Sequence, residues 1–170
     1  VYVLGGRTGI AWDQEVAGSF EGTLSNVSVW YCTNGFRATS WSGINGLIYV
    51  EQNLAGKPYS INYALGCDIV IVDQSNQARA SASTIDEAYG SQFRFYLEDT
   101  PGAAVPFLDA GSSGPLRNCE FHGNISGSSG TAFPIARFSR TLGGGCYFNI
   151  GSGGHKNAIF CDPSTTKNFE

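Results

Sequence analysis

Methionine is absent from this 170-residue chain, charged side chains make up only 14% of it, and histidine occurs twice. So few charges beside 13% aromatics exclude a solvated disordered tail. A helical bundle is equally excluded, because it needs many more Glu, Lys, Leu and Ala. The ten Lys and Arg are scattered singly in a chain of formal charge −4, so there is no basic footprint for nucleic acid. The longest apolar runs, such as Ile69 to Val72, fall far short of the roughly 18 residues a membrane span requires, and nothing at the N-terminus resembles a signal peptide. The expectation is a soluble chain without membrane insertion. Val1 cannot be an initiator residue, which leads us to expect a processed product or an excerpt of a longer chain.

What is abundant is glycine, 23 residues, together with apolar side chains at 42%, enough for one domain with a real core. Five cysteines (Cys32, Cys67, Cys119, Cys146 and Cys161) cannot all pair within one chain, and no CxxC or Cys/His spacing suggests zinc. They are read as reduced, buried apolar residues, consistent with folding in a cytoplasm. No metal and no cofactor is expected.

Short segments of period-two patterning recur between Gly, Ser, Asn and Pro clusters: 24–30, 46–50, 67–72, 92–97, 119–121, 136–138, 146–150 and 158–160. The class is all-β. The sole helical signal is Ser83 to Ala88, where Ser83 or Thr84 could cap a single turn before Tyr89-Gly90. Laid over one another, Leu24-Ser-Asn-Val-Ser-Val29 and Leu116-Arg-Asn-Cys-Glu-Phe121 share a frame, and Leu65 to Ile71 and Gly145 to Ile150 share its second half. Val27 then fills the slot of Cys67, Cys119 and Cys146. The 92 positions from Val27 to Cys119 equal four turns of 23, and Cys119 to Cys146 is 27. A β-solenoid with rungs of roughly 20–27 residues accounts for this, because each rung buries its inner face only by stacking on a neighbour. Residues 1–170 form one such domain, or part of a longer one, with 1–20 as an edge or cap and 20–165 as coils.

The stretch Asn26-Val-Ser-Val-Trp-Tyr-Cys-Thr-Asn-Gly-Phe36, a strand followed by a Cys-x-Asn-Gly-apolar corner, resembles a coil of the right-handed parallel β-helices of the pectate-lyase type, as found in bacteriophage tailspikes and tail appendages. The resemblance implies a homotrimeric virion or extracellular appendage that binds, and as an enzyme depolymerises, bacterial surface polysaccharide. The aspartate cluster of calcium-dependent lyases has no counterpart, so a glycoside hydrolase is preferred to a lyase. A non-catalytic structural or adsorption module is the alternative. A second resemblance, of Phe20-Glu-Gly-Thr-Leu-Ser-Asn-Val-Ser-Val-Trp30 to laminin-G and pentraxin-like strands, implies a β-sandwich jelly-roll lectin and ranks behind it.

Chemistry is sought on the outward positions. With Cys119 and Phe121 inward, Asn118, Glu120 and His122 point outward on one strand, although an outward face of a coil is solvated and accepts Glu and His on that ground alone. Asp68 follows Cys67 as Glu120 follows Cys119, 52 residues apart or close to two rungs. Strands about 4.8 Å apart would separate the pair by about 9.6 Å, near the upper limit for the acid and base of an inverting glycosidase. Asp68, Glu120 and His122 are therefore the catalytic candidates. Trp30, Asn118 and Tyr147 are the substrate-binding ones, and Trp41, Tyr31 and Tyr49 would also suit sugar stacking if exposed. Glu98-Asp99 is read as a turn before Pro101, and Gly151-Ser-Gly-Gly-His155 as a flexible turn without the Lys-Ser/Thr of a phosphate loop.

Overall fold

The computed structural model describes residues 1–12, 22–51, 56–75, 80–98, 105–126, 136–150, 159–162 and 167–169, with the backbone alone at 25–26, 125–126, 148–150 and 168–169. Strands β1 (Tyr2–Trp12), β2 (Gly22–Ala38), β3 (Trp41–Ser42), β4 (Ile44–Glu51), β5 (Tyr59–Leu65), β6 (Asp68–Gln74) and β7 (Ser83–Tyr89) make up the first half. The second half holds β8 (Gln92–Glu98), β9 (Leu108–Ala110), β10 (Leu116–Ser126), β11 (Ala136–Phe138), β12 (Thr141–Ile150), β13 (Ile159–Cys161) and β14 (Lys167–Phe169). Every described pairing is parallel, and strands pair with the strand one coil later, as β4 with β6, β6 with β8 and β8 with β10. This is a parallel β-solenoid. Among the described residues no helix is long and apolar enough to cross a membrane.

Strand formation follows the alternation. In Gln92–Glu98 every second side chain, Phe93, Phe95 and Leu97, is buried and those between are exposed. The segment expected to form a capped helical turn, Ser83 to Ala88, is instead strand β7, paired to β5 on one side and β9 on the other. Two ladders of backbone hydrogen bonds override a helix propensity that is weak in any single turn.

The coils are unequal. Val27 lies beside Ile48, Ile48 beside Ile71, Ile71 beside Phe95 and Phe95 beside Gly123, steps of 21, 23, 24 and 28 residues. The four equal turns of 23 are thus corrected: Val27 belongs to the Ile48 column, Cys119 pairs with Gly144, and Cys146 pairs with Phe121. Counting from one cysteine to the next assumed a constant coil, whereas the connections between strands vary in length.

Each coil offers three hydrogen-bonded stretches. The first is β4, β6, β8 and the later part of β10; the second is the start of β5 and β7 with β9 and β11; the third joins β3, the ends of β5 and β7, and the start of β10. The corner from the third stretch back to the first is made by one left-handed residue per coil. Gly43, Gly66, Gly90, Asn118 and Gly143 have φ of 63°, 60°, 54°, 51° and 75° and fall one residue beyond the registered pairs. Such φ values are open to Gly and to few others, Asn foremost. The residue after the corner then turns its side chain back on the carbonyl two residues earlier: Cys67 Sγ to the Leu65 oxygen at 3.5 Å, Ser91 Oγ to Tyr89 at 3.1 Å and Cys119 Sγ to Arg117 at 3.4 Å.

Inside, similar side chains stack in columns. Ile69, Phe93 and Phe121 form one column, Ile48, Ile71 and Phe95 the next, and Ile61, Ile85, Ala110 and Phe138 one on the second stretch. Phe121 lies 5.3 Å from Phe93 and 4.8 Å from Phe138 between ring centroids, joining two stretches of the coil. Each of the fully buried Ile and Phe side chains in these columns contributes about 1.5–3 kcal/mol relative to exposure. No disulfide joins any of the five cysteines, of which Cys32, Cys67 and Cys119 are buried and Cys146 and Cys161 partly so.

Candidate functional site

Because inward positions alternate with outward ones, the outer side of the first stretch carries its own columns. One runs Asn45, Asp68, Gln92, Glu120, Gly145; the next runs Leu47, Val70, Arg94, His122, Tyr147; the third runs Tyr49, Val72, Tyr96, Asn124. Adjacent columns are two residues apart along the strand, roughly 6.8 Å. Along the stack the middle column changes from aliphatic to polar and aromatic at Arg94.

Asp68 and Glu120 therefore occupy a single column with Gln92 between them, two rungs or about 9.6 Å apart. Each has a basic neighbour from the adjoining column. Arg94 Nη2 pairs with Asp68 Oδ1, and His122 Nε2 lies 3.4 Å from Glu120 Oε2. Both carboxylates are well exposed, with side-chain accessibilities of 42% and 52%. An exposed carboxylate beside a basic side chain is a hydrogen-bonding surface group, whereas a general acid is made by burial in apolar surroundings.

Two depressions adjoin on this face. Arg94, Tyr96, His122, Asn124 and Tyr147 wall a groove of about 120 Å³ whose floor is the backbone of Phe95 and Gly123. Next to it, Glu120, His122, Gly144, Gly145, Cys146 and Tyr147 surround a wider hollow of about 480 Å³. The hollow exists because Gly145 stands beside Glu120 and carries no side chain. Gly144 is required by the backbone: at φ 112° a Cβ there would come within 2.0 Å of the Cys119 carbonyl oxygen. Tyr147 is 68% exposed, and its ring lies 6.5 Å from that of His122. The hollow lies on the side of Glu120 away from Asp68.

A thiol beside a carboxylate and an imidazole invites comparison with a cysteine nucleophile. Cys146 does not fit, because burial, with a smaller contribution from Cys161, pushes its thiol up to about 12, so almost no thiolate exists near neutrality. Among the described residues no group of three His, Cys, Asp or Glu side chains is placed to hold a metal ion.

Of the residues singled out in the sequence, Glu120, His122 and Tyr147 come together, and Asp68 joins them through Arg94. Asn118 does not share their face: the alternation breaks there, with Arg117 and Asn118 both exposed, because Asn118 is the left-handed corner residue. Trp30 lies on β2, four strands from β10 or about 19 Å along the stack, and packs on Tyr2 at 5.2 Å and Tyr49 at 6.1 Å. Trp41 is fully buried, while Tyr31 remains 47% exposed. Tyr49 is half-buried and its hydroxyl donates to Glu51 Oε2 at 2.9 Å; burial first, and Glu51 second, push it up to about 12. Asp99 and His155 lie outside the described residues. Arg94, Tyr96 and Asn124 were missed. The alternation in Gln92–Glu98 already turned Arg94 and Tyr96 outward, but the 28-residue step that brings them beside His122 and Asn124 has no local signal.

No protein-family model, curated protein or solved structure matches this chain.

Proposed function

We propose that this β-solenoid is a glycan-binding module of a tailspike-like appendage, its coils right-handed, three chains assembled side by side, and its outer face directed at bacterial surface polysaccharide. The observation that carries the reading is the polar and aromatic groove of Arg94, Tyr96, His122, Asn124 and Tyr147 with its adjoining hollow. Aromatic faces suit the apolar side of a sugar ring, and the surrounding amide, imidazole and carboxylate groups suit its hydroxyls. The tailspike assignment and the extracellular location rest on the resemblance of the coil at residues 26–36. Sedimentation tests the trimer. Retention of the protein on bacterial polysaccharide, lost in Tyr147→Ala with an unchanged β circular-dichroism spectrum, tests the binding face; equal retention of the variant would refute it.

Cleavage is the second reading, favoured by the Asp68–Glu120 column. Its separation of about 9.6 Å lies at the edge of the range of an inverting pair. New reducing ends and falling polysaccharide viscosity, both abolished in Asp68→Asn and Glu120→Gln, would establish a hydrolase. An unsaturated uronic acid among the products would establish a lyase instead.

A further inference from the structure

Resting on the reading of this face as a glycan site, we infer that its ligand is an uncharged, hydroxyl-rich sugar and that Glu120 is its principal hydrogen-bond acceptor. Glu120 lines the hollow, Asp68 pairs with the groove's Arg94, and Glu98 lies two residues beyond the groove's Tyr96 on strand β8. Among the described residues lining the groove the permanent cation is Arg94, and its guanidinium pairs with Asp68. His122 is likewise turned to Glu120. A uronate, sialate or phosphate entering here would meet the Glu120 carboxylate, with that of Glu98 one column beyond the groove, and among the described residues lining the two depressions the Asp68-paired Arg94 is the permanent cation left to offset them, while the chain as a whole carries −4. Like charges brought together at such range oppose binding.

The same groups serve a neutral sugar well. A carboxylate accepts hydrogen bonds and donates none, and bonds to an ionised acceptor are stronger than neutral ones. Glu120 borders the hollow at the position where its neighbour one coil on is Gly145, so its oxygens face open space instead of a stacked side chain. Sugar hydroxyls are the donors that fill such a place. Tyr147, largely exposed and 6.5 Å from the His122 ring, offers the apolar wall.

The test is a binding titration of the full chain with two sets of probes at low and high salt. Neutral probes are dextran, mannan and galactan oligosaccharides; acidic ones are oligogalacturonate and oligosialate. A neutral probe that binds with little salt dependence supports the inference. So does Glu120→Ala weakening it about fivefold or more, the loss of one good hydrogen bond, with Glu120→Gln falling between. Preferential, salt-sensitive binding of an acidic probe, strengthened by Glu120→Ala through relief of repulsion, overturns the inference but leaves the glycan-binding reading intact. Absence of binding to every probe removes both. Circular dichroism of each variant separates loss of the site from loss of the fold.

Discussion

Ser91 occupies the slot between Cys67 and Cys119 in the corner column, and it explains why cysteine recurs there. Its hydroxyl donates to the Tyr89 carbonyl and accepts the Cys67 backbone N–H, each at 3.1 Å. What the slot selects is a small side chain with one donor, which Ser and Cys both supply. Ser91→Cys should accordingly cost about 1 kcal/mol or less. Ser91→Ala, similar in size but without donor or acceptor, should cost about 1–3 kcal/mol by orphaning the buried Cys67 N–H. Urea unfolding of the two variants measures the difference, and equal losses would remove the capping role. Asp109 illustrates the opposite case, a polar group held against its preference. Burial raises its pKa, and Arg137, 3.8 Å away, offsets this only in part. A carboxyl whose folded value is raised contributes stability below its unfolded value, and that contribution is lost as pH rises through the folded one. Asp109→Asn, which cannot ionise, should raise the urea midpoint near pH 7, and the gain should shrink as pH falls toward 3.8, the ordinary value of the group. A gain that stayed constant across that window would contradict the linkage.

At the scale of elements, the corner column shows what the sequence disclosed and what it hid. Gly90 and Gly143 read as turns in the sequence, but Gly66 and Asn118 take the same left-handed role inside stretches that read as strand. Asn tolerates that conformation better than other L-residues. Asn118→Gly should leave stability within about 0.5 kcal/mol, whereas Asn118→Ala should lower it by about 1 kcal/mol, measured by denaturant titration; a stable Ala variant would mean the corner can relax. Strands were legible because period two is local: Phe93, Phe95 and Leu97 announce their face within seven residues. Register was not legible, since it depends on connections that make coils of 21 to 28 residues. Strand β7 was hidden for a related reason, as Ser83–Tyr89 owes its extended form to the neighbours one coil before and after.

At the scale of the molecule, the Asp68–Glu120 column was foreseeable because unequal coils of 24 and 28 residues sum to nearly the assumed two rungs, while the grouping of Arg94 with His122 needed each coil length separately. The same one-dimensional stacking governs stability. A coil touches only its neighbours, so folding energy is distributed along the axis as rung and interface contributions instead of residing in one central core. Phe121 is where this is most concentrated: it stacks on Phe93, lies 6.4 Å from Phe95 and meets Phe138 edge-on from another stretch. Ile10, on β1 beside Phe36, is only half-buried. Phe121→Ala should therefore cost about 3–5 kcal/mol and accelerate amide exchange most in β8, β10, β11 and β12. Ile10→Ala should cost markedly less and disturb exchange only in β1 and β2. Hydrogen exchange read by mass spectrometry decides the matter, because a globally coupled core would spread both perturbations over all coils, whereas nearest-neighbour stacking confines each to its own.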